Sequence, residues 1–518
     1  MRFYLNRRVI SVFFMGVASG LPWVMIGSAL TLWLQEAGIG RADIGYAGLI
    51  FTVYAINFLW SPLVDQVRMT LFGRIGSRRS WVLLCQLVIG GACIWISFLD
   101  PASNVKFVVL VGLLIAIFSA TQDIAIDAYR VDSFAQNEPQ YISAGAAAAT
   151  AGWWTGYAGL GYLPLRLSDL DWSWPELYLM LGAITLGICI ITVCLPDPAY
   201  QQKGRHRESY DHYLAIASTS RQEYKLLLCL QLASPLLIVF WAVAGSPGMP
   251  QAIQDNSLYV PSLIGALLIL CVLIGLQLNR LHEPDPASGA QPGQDPLNRI
   301  LAWMLTALIA PLREFILRNG FRFAIALLSF IFLFKLGEAF LGRMSIVFYK
   351  EIGYSNTDIA NYSKMLTWWL TIVFALLGGW VNARIGLVKG LFISGCAMAA
   401  TNLMFALIAV RGPEIDLYIT AVVLDGFTAA WATVAFVSFI SLMCNHAFSA
   451  TQYALMASLG NLGRTTVSSV SGQVVNWLDG NWALFFILTA LMVIPGLVIL
   501  LFLAKRVTQL ETDAKNFG

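Results

Sequence analysis

The sequence predicts an all-α polytopic membrane protein: two six-helix bundles plus two additional transmembrane helices, about fourteen spans in all. Three observations predict it. Hydrophobic residues make up 58% of the 518-residue chain and charged residues only 12%, against about 25% charged in soluble domains; the mean hydropathy is +0.70. The apolar residues fall in blocks of about 20, the length that crosses ~30 Å of hydrocarbon at ~1.5 Å per residue. Basic residues collect in alternate connecting loops.

The first block, 9–34, follows Arg2, Arg7 and Arg8. A basic start before an apolar run resembles a signal peptide. This run is longer than a secretory core and has no small-residue cleavage site, so it reads as a first span. Blocks at 44–66, 81–99, 105–130, 141–165 and 176–195 complete the first six, and two more follow a charged loop, near 224–244 and 258–279. The stretch HEPDPASGAQPGQDPLNR is a linker by its Pro, Gly and Asp content. Beyond it, LAWMLTALIAPLREFILRNG mixes apolar spacing with Arg313, Glu314 and Arg318 and reads as an amphipathic helix on the cytoplasmic face. Six final blocks follow at 321–342, 358–381, 388–410, 416–442, 450–476 and 483–505. The organisation is therefore 1–198, an N-terminal bundle; 199–298, a cytoplasmic loop, two extra helices and the linker; and 299–518, the amphipathic helix and a C-terminal bundle.

Arg68, Arg74, Arg78 and Arg79, then Lys203, Arg205 and Arg207, then Arg384 and Lys389, then Lys505 and Arg506 occupy one set of loops and ends. Asp100, Asp169, Asp171, Glu414, Asp416 and Asp479 occupy the other set. The positive-inside rule places both termini in the cytoplasm with an even number of spans.

Several function classes drop out. A net charge of +3 without a basic, aromatic-interleaved stripe argues against nucleic acid. The eight cysteines form no CxxC pair and the four histidines have no metal-ligand spacing, so no metal or cofactor is expected. There is no P-loop, GxSxG or HExxH, hence no catalytic residue to nominate, and transport energy would come from an ion gradient.

A charge inside a span costs about 2.5–3.5 kcal/mol on insertion scales, so each one asks for a purpose. In ATQDIAIDAYRVD, Asp123 and Asp127 stand four residues apart on one helix face, with Gln122 and Arg130 nearby. They are either a proton-carrying pair in a wet cavity, or one of them pairs with Arg130 or a basic loop and locks a closed state. Lys335 and Glu338, at i and i+3, make either a structural ion pair or one that exchanges partners while Lys335 meets an anionic substrate. Lys364, Asp425, Asn461 and Arg464 lie in three further spans of the same half. Two adjacent pairs, Trp153–Trp154 and Trp368–Trp369, sit inside spans, where one ring of each either packs or stacks on a sugar.

After its second span the chain reads SPLVDQV…GSRRSW, and after the second span of the last set GGWVNARIGLVKG. Small residues followed by a basic Gly-containing turn at matching places in two halves point to the major facilitator architecture. The markers ASGLP (18–22), FLWSPLVD (58–65), QDIAIDA (122–128), KLGEAF (335–340) and CNHAFSATQYAL (444–455), with GR at 463–464, resemble the AmpG-type muropeptide permeases of Gram-negative inner membranes. That resemblance runs from about residue 10 to 505, and that family has fourteen spans. It implies proton-coupled import of GlcNAc-1,6-anhydro-MurNAc and its peptides from periplasm to cytoplasm in cell-wall recycling, linked to β-lactamase induction, by a protein expected to be monomeric. Such a substrate fits Lys335, Lys364 and Arg464 as cations, Gln122, Gln452 and Asn461 as amides, and the tryptophans as sugar faces. Departures stand at Asn57 and Trp154, where some relatives carry a basic residue, and at Glu338, where relatives use Asp. They imply a narrower or shifted substrate range. The alternatives are a same-family transporter of another anionic solute, such as acetyl-CoA or a drug, and a membrane-embedded enzyme of wall-precursor metabolism.

Overall fold

The computed structural model describes residues 2–39, 48–67, 69, 75–168, 170–198, 205–219, 228–231, 295–355, 358, 362 and 366–516. Lys364 and the two expected middle spans lie outside the described residues. Ten described helices are long and apolar enough to cross a membrane.

The N-terminal half consists of α1 (Arg7–Glu36), a broken α2 (residues 48–66), α3 (Ser77–Ile96), α4 (Pro101–Asp132), α5 (Pro139–Trp154, continuing to Ser168) and α6 (Trp174–Cys194). The C-terminal half consists of α9 (Phe321–Ile352), α10 (Thr367–Ile385), α11 (Leu387–Arg411), α12 (Ile415–Met443), α13 (Ser449–Thr466) and α14 (Trp482–Gln509). Except for the last two residues of α2, these twelve belong to one compact unit, Met1–Val64, Arg68–Gln201 and Asn319–Gly518.

A second unit, Asp65–Val67 and Gln202–Arg318, contains α7 (Arg205–Thr219) and most of α8 (Pro296–Asn319). Length and composition alone would let α8 cross a membrane. It packs along the polar α7, where Arg313 lies 3.0 Å from His212.

Local chemistry starts and stops the helices where the sequence suggests. Asn6 accepts the Arg8 N–H ahead of α1, and Asp100 accepts the Ala102 N–H ahead of α4, with Pro101 at the first helical position. A Ser173/Glu176 capping box opens α6. Gly353, at φ 111°, ends α9 in the left-handed conformation that glycine adopts without strain. In the turn before α5, Glu138 accepts from Arg8 with both carboxylate oxygens, at 2.9 and 2.8 Å. Burial opposes ionisation of Glu138, but the Arg8 hydrogen bonds, the Ala135 N–H and the Arg8 charge together outweigh it and hold the carboxyl below its usual range.

Helices α1 and α5 cross with their backbones in contact. A Cβ on Gly152 would lie 2.2 Å from the Phe13 carbonyl oxygen, one on Gly20 2.1 Å from that of Trp153, and one on Gly156 2.2 Å from that of Val17. Two GxxxG patterns, Gly16/Gly20 and Gly152/Gly156, supply this seam, which only small residues allow. Both helices loosen beside it: α1 carries Pro22 and a π turn at Met25–Ala29, and α5 a π turn at Thr155–Leu160.

The two halves meet along α5 and α10. The position of a Gly379 Cβ is 2.6 Å from the Ala147 Cβ, and the Tyr4 hydroxyl donates to the Leu376 carbonyl at 2.5 Å. Replacing Gly152 by Val should overpack the seam and cost about 2 kcal/mol. The unfolding midpoint in detergent should drop by several degrees, whereas Gly187→Ala, which meets nothing within 4 Å, should leave it unchanged. Equal midpoints for the two variants would remove the seam from the account.

Candidate functional site

In the N-terminal half the charge sits on α4. The Ser19 hydroxyl of α1 donates to Asp123 at 2.6 Å, and the Trp23 indole lies beside the same carboxyl group. Tyr54 of α2 stands within electrostatic reach of Asp123, its ring 4.5 Å from that of Trp23. The aromatic row continues from Trp23 to Trp153 (5.8 Å) and from Trp153 to Tyr157 (4.9 Å, stacked), with Trp154 edge-on to Trp153. The α1–α5 seam aligns this row, because it fixes Ser19, Trp23 and Trp153 on apposed turns.

Asp127, one turn along, accepts from Arg130 at 2.9 Å and keeps 35% of its side-chain surface accessible. The pairing with Arg130 read as one alternative from the sequence is thus the arrangement in this conformation.

In the C-terminal half, α9 breaks at Phe334–Lys335, and Lys335 becomes the N-cap of its second segment. The break presents the ammonium to Glu338 at 2.9 Å and to the Thr433 hydroxyl of α12. Asp425, also on α12, accepts from Thr401 at 3.3 Å, and its charge acts on Lys335. Arg464 on α13 is exposed, yet within electrostatic range of both Lys335 and Glu338. Asn461 is exposed one turn before it. Hydroxyls and opposite charges therefore surround each buried charge, the arrangement that makes burial tolerable.

Other expected residues serve differently. Gln122 donates to the Ala18 carbonyl at 2.8 Å and ties α4 to α1. Gln452 accepts the Asn445 N–H at 2.8 Å and braces the turn that precedes α13. Asn57 accepts from Ser458 at 3.1 Å, across the two halves. Trp368 packs against the N-terminal half, 3.6 Å from where a Gly159 Cβ would be, while Trp369 is 57% exposed.

A latch that the sequence reading missed closes the basic end of the two bundles. Arg78 donates to Asp132 at 3.0 Å, to the Val64 carbonyl at 2.9 Å and, across the halves, to Ser449 at 3.0 Å. Arg130 donates to Ser441 at 2.5 Å and lies over the Tyr453 ring at 4.7 Å, and Gln136 donates to the Cys444 carbonyl at 3.0 Å. His446 approaches Asp132 at 3.6 Å. The void left here is about 10 Å³, no larger than one water needs. The CNHAFSATQ motif forms the C-terminal side of this seal.

No family model matches the chain. It is 28% identical over 510 residues to a protein of Rickettsia conorii named putative transporter AmpG 4, covering 98% of this chain and 99% of that one. It is 26% identical over 502 residues to the anhydromuropeptide permease of Escherichia coli K12, covering 97% and 80% respectively. Among solved structures, the E. coli fucose:proton symporter matches with a TM-score of 0.58 at 14% identity, over 97% of this chain and 99% of the other. The proton:xylose symporter XylE, of the major facilitator superfamily, matches at 0.54 and 12% identity, over 97% and 95%. This is a transporter of the major facilitator fold.

The resemblance to the AmpG-type permeases extends over nearly the whole transporter, and relatives named permeases and transporters exclude the enzyme alternative. Within the latch, Arg78→Gln should leave Asp132 buried without its partner and cost about 3–5 kcal/mol. Ser449→Ala should cost only about 1 kcal/mol. Unfolding midpoints measured side by side test this; similar losses would mean Arg78 is not holding a buried charge.

Proposed function

We propose that the transporter imports GlcNAc-1,6-anhydro-MurNAc and its peptides from periplasm to cytoplasm across a bacterial inner membrane, driven by protons, with both termini cytoplasmic. The observation that carries the reading is the division of charge. Two carboxylates, Asp123 and Asp127, stand one turn apart on α4 beside an aromatic row, and the cations Lys335 and Arg464 stand in the other half. An anhydro-muropeptide is a disaccharide with peptide carboxylates. Its sugar faces suit Trp23 and Trp153, and its carboxylates suit Lys335, Arg464 and Lys364. The name of the E. coli relative and the proton symport of the sugar carriers sharing the fold support both parts.

Coupling would run through Arg130. This one guanidinium joins Asp127 of its own helix to Ser441 and Tyr453 of the opposite half. Protonating Asp127 removes the charge that orients Arg130, which weakens the latch. Substrate drawing Lys335 away from Glu338 would act on the same interface from the C-terminal side. Asn57, bonded to Ser458, and the neutral Trp154 give the N-terminal half fewer cations than some relatives have, so the peptide carboxylates fall to the C-terminal half.

Uptake of labelled anhydro-muropeptide into right-side-out vesicles, with and without an imposed pH gradient, tests the proposal. Gradient-dependent accumulation is expected, and Asp123→Asn and Asp127→Asn should each reduce it at least about tenfold at wild-type expression. Uptake indifferent to the gradient would remove proton coupling; no uptake, alongside transport of another anionic solute, would remove the substrate. Arg464→Gln should raise the KM about tenfold, the scale of one charge-assisted hydrogen bond, and an unchanged KM would return Arg464 to a structural role.

A further inference from the structure

Helix α1 carries Pro22, whose ring nitrogen has no N–H, so the Ala18 carbonyl one turn back loses its helical donor. Gln122 of α4 supplies one, at 2.8 Å. The next rung along the same two helices is Ser19 to Asp123, at 2.6 Å. The serine has little room to leave that contact. A Cβ on Gly20, its neighbour, would lie 2.1 Å from the Trp153 carbonyl oxygen, and one on Gly16 2.6 Å from that of Ala149. Ser19 is therefore placed by the α1–α5 seam and by Gln122, not by the aspartate it faces.

The Trp23 indole lies beside Asp123, and the titratable groups within its electrostatic reach among the described residues are Tyr54 of α2, Cys85 of α3 and Asp127 of α4. An aspartate that takes up and releases a proton has two different needs. Ionised, it only accepts hydrogen bonds; protonated, it must also donate one. An indole N–H can only donate, so Trp23 serves the ionised form alone. A hydroxyl can do both, and Ser19 is the hydroxyl already bonded to the carboxyl group. Within a helix a serine has a second place for its hydrogen, the carbonyl four residues back, here that of Met15. We propose that Ser19 is a positioning residue for both states of Asp123. Its hydroxyl donates to the carboxylate; once the proton arrives, it turns its hydrogen to the Met15 carbonyl and accepts from the carboxylic acid. This rests on the reading of Asp123 as a proton-carrying group. Only hydrogens move in the exchange, so the rung between α1 and α4 persists through the proton cycle.

Infrared difference spectra of the full-length protein in lipid nanodiscs, acidic minus alkaline, read the protonated carboxyl group directly and need no substrate. The wild type should show a carboxylic C=O band that Asp123→Asn removes. Ser19→Ala should move that band to higher frequency, because a carboxyl group that loses a hydrogen bond absorbs higher. A folded Ser19→Thr, which keeps the hydroxyl, should return it towards the wild-type position. An Asp123 band unmoved in Ser19→Ala overturns the inference and leaves the proton-carrying role of Asp123 standing. A folded Ser19→Thr that matches Ser19→Ala also overturns it. Absence of any band that depends on Asp123 overturns both the inference and that role. In vesicles, Ser19→Ala should lower the maximal rate of gradient-driven anhydro-muropeptide uptake about tenfold, the scale of one hydrogen bond to a charged group, with KM unchanged. A loss carried by KM instead would place Ser19 against the substrate and overturn the inference.

Discussion

The contact on which the N-terminal half depends is the crossing of α1 and α5, where carbonyl oxygens of one helix rest in the space that side chains of the other would fill. Helices in hydrocarbon gain little from burying apolar surface against each other, since lipid tails are equally apolar; close packing of backbones supplies the attraction. Here the crossing also sets chemistry. It holds Ser19 against Asp123 and Trp23 against Trp153, so the acidic site and its aromatic neighbours are fixed by one seam. The π turn of α1 begins just past that contact, and the π turn of α5 carries Gly156, the last glycine of the seam.

The C-terminal half reaches a similar end by another route. Its cation is displayed by interrupting α9 at Lys335, and hydroxyls from neighbouring helices complete the cage. One half is tight and glycine-lined, the other broken and hydroxyl-lined. Their joint surface along α5 and α10 again uses small residues, Ala147 and Gly379, at its closest approach.

Much of this was legible in the sequence because helical spacing is rigid. Asp123 and Asp127 share a face by spacing, and Lys335 with Glu338, at i and i+3, could pair, as they do at 2.9 Å. What spacing cannot show is the partner on another helix. Ser19, Trp23 and Thr433 carry no local signal of what they touch, and Arg78 looked like one more loop cation. Gln122 and Gln452 were candidate substrate ligands by residue type, yet an amide serves equally well to satisfy a backbone group, and both do so. The CNHAFSATQ stretch stood out as a motif, but its job lies in a turn whose geometry only the fold supplies. The span count suffers differently: the two expected middle helices fall outside the described residues.

The latch at the basic end has an uneven distribution of bond types. Its full ion pairs, Arg78 with Asp132 and Arg130 with Asp127, lie within the N-terminal half, while the bonds that cross to the other half end mainly on hydroxyls and a carbonyl, with His446 reaching Asp132 at 3.6 Å. Among the described hydrogen bonds that cross the halves, the acceptors are neutral, about 1 kcal/mol each net, while the two arginine–aspartate pairs of the latch stay within one half. The strong pairings of the latch thus belong to one half, and the bonds across it are of a kind that water can replace.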